Sequence, residues 1–160
     1  MPDDLRCQAV DPATLPARSG SGYPEQFRTT VAGRAKRALG DPCGLTQFGA
    51  NLVELPPGCW SSQRHWHSHD DELVYVVSGE LTLVTDAGAQ QLGPGMIAGF
   101  PAGAADGHHL INRSDRPATY IEIGTRVDQD EAVYSDIDME LRRAPQGDGH
   151  VFVHKNGEPY

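Results

Sequence analysis

The stretch RHWHSHDDE, residues 64–72, collects side chains that bind metal ions. His65, His67 and His69 alternate with other residues, and three carboxylates follow directly. Successive side chains of a β-strand point to opposite faces, so the three histidines would share one face of a straight strand. Imidazole and carboxylate groups are common ligands of divalent transition metals. The stretch therefore indicates a metal site, while a solvated polar turn remains the alternative.

The residues around this stretch predict many short β-strands. From residue 45 to residue 125, short runs with apolar residues at alternating positions are separated by turns rich in Gly, Pro and Asp. The chain holds 12 prolines and 18 glycines, which favour short strands over long helices. We therefore expect an all-β sandwich or barrel. Only the acidic segment 128–140 suggests a helical turn.

The composition restricts the domain organisation and the partners. Residues 1–22 are polar and broken by prolines, so we expect an extended N-terminal arm before one domain at 23–160. The formal net charge of -9 argues against nucleic acid or an anionic membrane as the main partner. No apolar run approaches a transmembrane length and no signal peptide is recognisable. The three cysteines form no C-x-x-C pair, and the expected location is the cytoplasm.

A basic segment stands out in this acidic chain, and its residues are Arg28, Arg34, Lys36 and Arg37. These charges could be solvated on an edge strand, where they discourage edge-to-edge pairing. They could also form a rim that attracts an anion to a nearby pocket. The sequence leaves both interpretations open.

Residues 58–79 follow the first of two motifs of the cupin superfamily. The stretch begins and ends with glycine and contains His65, His67 and Glu72 at the spacing of that motif. It departs from the motif only before the first histidine, where the gap is one residue longer. The distances in sequence between the three polar residues are those of the superfamily.

Residues 95–112 follow the second cupin motif. After an initial glycine come Pro101-Ala102-Gly103, His108 and Asn112, with a longer loop than usual before the histidine. The spacing to Asn112 selects His108 rather than His109. With both motifs in order, the chain resembles the cupin superfamily, whose fold is a double-stranded β-helix or jelly-roll barrel. The runs 61–88, 95–126 and 154–160 further resemble small single-domain bacterial cupins that are often labelled sugar-phosphate isomerase-like.

This resemblance implies a ligand set of His65, His67, Glu72 and His108 for one divalent metal ion per chain. Zinc, manganese, iron and nickel all suit three imidazoles and one carboxylate, which leave coordination positions open for a substrate. His69 then falls in a turn. The candidates for a proton-transferring group are His69 and Glu122, and the sequence does not decide whether Glu122 faces the pocket or the solvent.

Two classes of function follow from such a site. One is a metal-dependent enzyme acting on a small oxygen-rich metabolite, either as an isomerase or epimerase or as an iron-dependent dioxygenase. The other is a non-catalytic module that binds or senses a metabolite, because the fold alone does not determine the function. The ligand is a small molecule in both cases. Small single-domain cupins commonly pair, so we also expect a homodimer.

Overall fold

The computed structural model describes residues 9–147 and 149–160 of the chain. These residues form thirteen β-strands: β1 (Arg18–Ser19), β2 (Ala35–Ala38), β3 (Phe48–Leu55), β4 (His65–His67), β5 (Glu72–Ser78), β6 (Leu81–Thr85), β7 (Gly88–Leu92), β8 (Ile97–Phe100), β9 (His109–Ile111), β10 (Ala118–Thr125), β11 (Ala132–Tyr134), β12 (Glu140–Arg143) and β13 (His150–Val153). The helices in this part of the chain are short 3-10 turns at Pro12–Thr14, Glu25–Phe27, Thr29–Val31 and Asp41–Cys43. None of them is long and apolar enough to cross a membrane.

The strands form three antiparallel sheets, and the all-β class expected from the sequence is confirmed. The six-stranded sheet has the order β1-β2-β3-β10-β5-β8, and the four-stranded sheet has the order β13-β12-β11-β4. The third sheet has the order β7-β6-β9. Neighbours such as β3 and β10 are far apart in sequence, so non-local pairing builds the architecture.

Alternation along β5 determines which face of the six-stranded sheet is inside. Val74 and Val76 are buried in the main apolar core, whereas Tyr75 between them is exposed on the outer face. Side chains two residues apart share a face of a strand. Glu72 therefore belongs to the same inner face as Val74 and Val76.

The pairing of residues between neighbouring strands shows which side chains of β10, β3 and β2 lie on the same inner face. Tyr120 pairs with Val53, which pairs with Lys36, so these positions lie in one row across the sheet. Glu122 pairs with Asn51 in the next row. Because residues opposite each other in an antiparallel pair point to the same side, Lys36, Tyr120 and Glu122 face the interior. Strand β2 lies between β1 and β3, so Lys36, which pairs with Arg18 on one side and Val53 on the other, does not lie on a sheet edge.

Two segments differ from the simple expectations. In the expected N-terminal arm, Arg18–Ser19 pairs with β2 and extends the sheet, while residues 1–8 lie outside the described residues. The helical turn expected within 128–140 was wrong, since that segment contains β11 and the start of β12. Ala132 and Tyr134 are both buried, and the pairing of β11 with β4 overrides the weak local preference.

Candidate metal centre and its cavity

Four side chains converge between the sheets. His65 and His67 share one face of β4, and their Nε2 atoms lie 3.1 Å apart. Glu72 begins β5, and its Oε2 lies 3.5 Å from Nε2 of His67. A β-bridge pairs His108 with His65, and Nε2 of His108 lies 2.8 Å from the same carboxylate oxygen. The structure thus brings together all four residues that the motifs indicate.

The other ring nitrogens of two of these histidines are fixed by acceptors outside the cluster. Nδ1 of His65 lies 2.9 Å from the carbonyl oxygen of Gln63, and Nδ1 of His67 lies 2.6 Å from Oδ2 of Asp130. A proton on each Nδ1 satisfies these acceptors and leaves the Nε2 lone pair directed into the cluster. The ring of His108 is held differently, by stacking on Phe100 with ring centroids 3.5 Å apart.

The protonation states of the cluster residues favour the binding of a cation. Burial lowers the pKa of His65 to about 3 because the imidazolium loses its hydration, and His67 and His108 act in the same direction. Burial alone would raise the pKa of Glu72. In the metal-free chain the hydrogen bond that Nε2 of His108 donates, together with the positive charge of the imidazoles when they are protonated, outweighs that effect and lowers the pKa of Glu72 to about 2. A neutral imidazole and an ionised carboxylate are the forms that bind metals.

This donor set fits a divalent cation. Ligand atoms of His65, His67 and Glu72 all lie within 4.8 Å of one another, so one ion could contact each of them. Nitrogen and oxygen donors of this kind suit zinc, manganese, iron or nickel. The acceptors that orient the two imidazoles are those expected of outer-sphere partners in a metal site.

Asp130 completes the cluster, and sequence reasoning missed it. Its side chain is largely buried, and Oδ1 accepts hydrogen bonds from the backbone amides of His69 and Asp70 at 2.8 and 3.1 Å. Burial opposes ionisation of Asp130, but these amides and His67 together lower its pKa. The residue lies far from His67 in sequence, and only the pairing of β11 with β4 brings the two together. No local pattern could have indicated it.

The same region contains a second group that could hold an ion, formed by His67, Asp70 and Asp130. Oδ1 of Asp70 already accepts hydrogen bonds from the Val127 amide and the Thr125 hydroxyl, at 2.9 and 3.0 Å. Asp130 is similarly engaged through both oxygens. These carboxylates therefore act as acceptors that shape the turn after β4.

The four-residue cluster forms part of the wall of a cavity of about 320 Å³. The other polar side chains that line this inner cavity are Ser21, Tyr23, Arg34, Lys36, Ser61, Ser62, His109, Tyr120 and Glu122. Two members of the basic segment, Arg34 and Lys36, therefore lie beside the candidate metal site. The interpretation of the segment as a solvated edge does not hold for these two residues.

Glu122 lies in the inner cavity, and its carboxylate is anchored there. Oε1 accepts hydrogen bonds from the Lys36 ammonium at 2.5 Å and from the side-chain amide of Asn51 at 3.0 Å. Tyr120 lies two residues earlier on the same face, and burial raises its pKa well above the ordinary value. The phenol therefore stays protonated, and its oxygen is buried without a hydrogen-bond partner among the described residues.

His69 is not in the inner cavity. Its ring is exposed, and Nδ1 lies 2.8 Å from the Ser68 hydroxyl. The strand ends at His67, so the alternation that would have placed a third histidine on the same face stops before His69. Of the two residues expected to transfer protons, the structure places Glu122 in the cavity and His69 outside it.

Comparison with known proteins places this geometry in context. A family model described as a cupin domain matches residues 51–124. A structure of a sugar phosphate isomerase from a cupin superfamily, from Silicibacter pomeroyi, is 43% identical over 96% of each chain, with a TM-score of 0.90. A candidate sugar phosphate isomerase from Acidithiobacillus ferrooxidans is 31% identical over 79% of this chain and 80% of its own, with a TM-score of 0.71.

A more distant structure, the polyketide cyclase RemF from Streptomyces resistomycificus, shares the fold. It is 21% identical over 74% of this chain and 78% of its own, with a TM-score of 0.62. No curated protein matches the sequence. These comparisons confirm the jelly-roll fold that the two motifs implied.

Proposed function

The chain belongs to the cupin superfamily, and from the site that its fold builds we propose that it is a metal-dependent isomerase of a sugar phosphate. One observation carries this proposal. The convergent donor cluster, the Glu122 carboxylate and two cationic side chains, Arg34 and Lys36, line a single cavity. The names of the two most similar structures described above support the same reaction class.

The donor cluster would hold the metal ion. A divalent cation bound by His65, His67, Glu72 and His108 would polarise a carbonyl or hydroxyl oxygen of the substrate as a Lewis acid. Asp130 and the Gln63 carbonyl keep the proton of two imidazoles away from the cluster. Their role is to keep Nε2 available as a donor atom.

Glu122 is the proposed proton-transferring group. Its carboxylate takes the proton from the carbon next to the substrate carbonyl and returns it to the former carbonyl carbon, while the hydroxyl proton on the first carbon passes to the former carbonyl oxygen, so that an aldose becomes a ketose. Lys36 and Asn51 fix the position of the carboxylate through its Oε1 atom.

Cationic side chains in the cavity favour an anionic substrate. The chain as a whole carries a net charge of -9, so its average field repels anions. Lys36 is already paired with Glu122, whereas Arg34 forms no ion pair with a carboxylate among the described residues and remains available to an anion. Guanidinium groups match the geometry of phosphate oxygens, which makes a phosphorylated sugar a suitable ligand.

The test is solvent exchange during turnover. Chain loaded with Zn, Mn, Fe or Ni is incubated in heavy water with a panel of aldose and ketose phosphates, and proton NMR follows deuterium entering the carbon next to the carbonyl. We expect Glu122→Gln to slow exchange by about 100-fold or more, since a positioned acid–base group contributes that much. Glu54→Gln makes the same chemical change at an exposed position of β3 and should leave the rate unchanged.

Three results would contradict the proposal. Binding without conversion under every metal would leave a metabolite-binding module. Oxygen consumption by the iron-loaded chain would indicate a dioxygenase. Full activity of Glu122→Gln would exclude the carboxylate as the proton carrier.

A further inference from the structure

A second cavity adjoins the inner one. This outer cavity has a volume of about 270 Å³ and is lined by residues of β1, β2, the segment between them, β3 and the 3-10 turn Asp41–Cys43. It shares Ser21, Gly22, Arg34 and Lys36 with the inner cavity. The two cavities therefore meet at the segment 21–22 and at two cationic side chains.

The charges around the outer cavity are unevenly compensated. Lys36 is paired with Glu122 at 2.5 Å, and the acidic lining residue Asp41 is paired with Arg126 at 2.6 Å. Arg18 and Arg34 line the cavity and form no ion pair with a carboxylate in the part of the chain that the structure describes. Two arginines thus line one cavity without a carboxylate partner among the described residues, and the Arg34 guanidinium also donates to the carbonyl oxygen of Ser61, which lines the inner cavity.

We propose that the outer cavity is the phosphate subsite of the enzyme. A phosphomonoester dianion binds to Arg18 and Arg34, and the sugar extends past Ser21 and Gly22 into the inner cavity. The inference rests on the proposed function for the identity of the substrate. Two guanidinium groups suit a dianion because each can donate two parallel hydrogen bonds to phosphate oxygens.

This arrangement defines the substrate class. The phosphate lies at the Arg18 end, and the carbonyl end lies at the donor cluster in the inner cavity. A substrate must therefore carry its phosphate away from the reacting carbonyl, and an unphosphorylated sugar lacks the group that the arginines bind. Lys36 contributes less to the phosphate than either arginine because Glu122 already neutralises its charge.

The first test uses inorganic phosphate and the full-length chain freed of metal by a chelator, so that no bound cation can take up the anion. Isothermal titration should show about tenfold weaker binding for Arg18→Gln and for Arg34→Gln, and a larger loss for the double variant. Arg113→Gln removes the same charge at an exposed site outside both cavities and should change affinity by no more than about twofold. Arg34 also donates to the Ser61 carbonyl oxygen, so Arg18→Gln is the variant least able to disturb the fold.

Unchanged phosphate affinity in Arg18→Gln would overturn the subsite. An equal loss in Arg113→Gln would also overturn it, by showing general attraction to positive charge. The phosphate-subsite proposal and the isomerase proposal can fail independently of each other. Arginine-dependent phosphate binding without any isomerisation would remove the enzyme proposal and keep the subsite, whereas isomerisation with an unchanged KM in both arginine variants would do the reverse.

Discussion

Replacing Asp130 by Asn should weaken metal binding while preserving most of the fold. In the native chain, Oδ1 of Asp130 accepts the amides of His69 and Asp70, and Oδ2 accepts the Nδ1 proton of His67. An Asn side chain can keep the carbonyl oxygen on the two amides. Its NH₂ group then faces Nδ1 of His67 and can only donate.

The consequence is a change of tautomer. If Nδ1 of His67 accepts a hydrogen bond, the proton moves to Nε2, which lies 3.1 Å from Nε2 of His65 inside the cluster. A protonated Nε2 cannot bind a metal ion. Loss of an outer-sphere partner of this kind costs about 10- to 100-fold in metal affinity, and we expect Asp130→Asn to fall in that range.

Asp130→Ala should add a loss of stability. It leaves two backbone donors without their acceptor, at about 1–3 kcal/mol each when fully buried. The exposed His69 side chain shows that water reaches this turn, so the expected decrease in the free energy of unfolding is about 2–4 kcal/mol. The two variants therefore separate orientation of the ligand from stability of the turn.

The assay is competition between the protein and a chelator for Zn²⁺, combined with urea unfolding of the metal-free chain. Asp115→Asn, at an exposed position, is the matched control and should behave as the native chain in both measurements. Native-like zinc affinity in Asp130→Asn would refute the tautomer argument. So would a stability loss in Asp130→Asn as large as that in Asp130→Ala, because the amide oxygen would then have failed to replace Oδ1.

Three further predictions follow from the same structure. The double change His65→Ala and His67→Ala should abolish divalent metal binding, as measured by elemental analysis, and leave the β-rich circular dichroism spectrum unchanged. Full metal occupancy in this variant would disprove the ligand assignment. The outer face of the six-stranded sheet is apolar along β5 and β8, where Ile97 is 63% exposed, so we expect a homodimer. Ile97→Lys should convert it to a monomer by light scattering, and a monomeric native chain would contradict this expectation. Gly79 has φ +76°, and an added Cβ would lie 2.7 Å from the Cα of Ala118. Gly79→Ala should therefore lower the melting temperature sharply. An unchanged melting temperature would show that this turn can relax.

The sequence by itself determined the elements and most of the candidate metal site. Alternation of side chains is a local property of a strand, so His65 and His67 had to share a face wherever β4 lay. Motif spacing added Glu72 and His108, and the structure brings all four groups together. The same alternation extended to His69 was misleading, because the strand ends at His67.

Only the tertiary structure decided what surrounds that site. Alternation showed that Tyr120 and Glu122 share a face of β10, but pairing with β3 and β5 determined that this face is the interior. Asp130 reaches His67, and Arg18 reaches the cavity wall with Arg34, through contacts between strands distant in sequence. A local pattern determines which residues point the same way along one strand, whereas the residues that meet across a cavity depend on how the sheets pack.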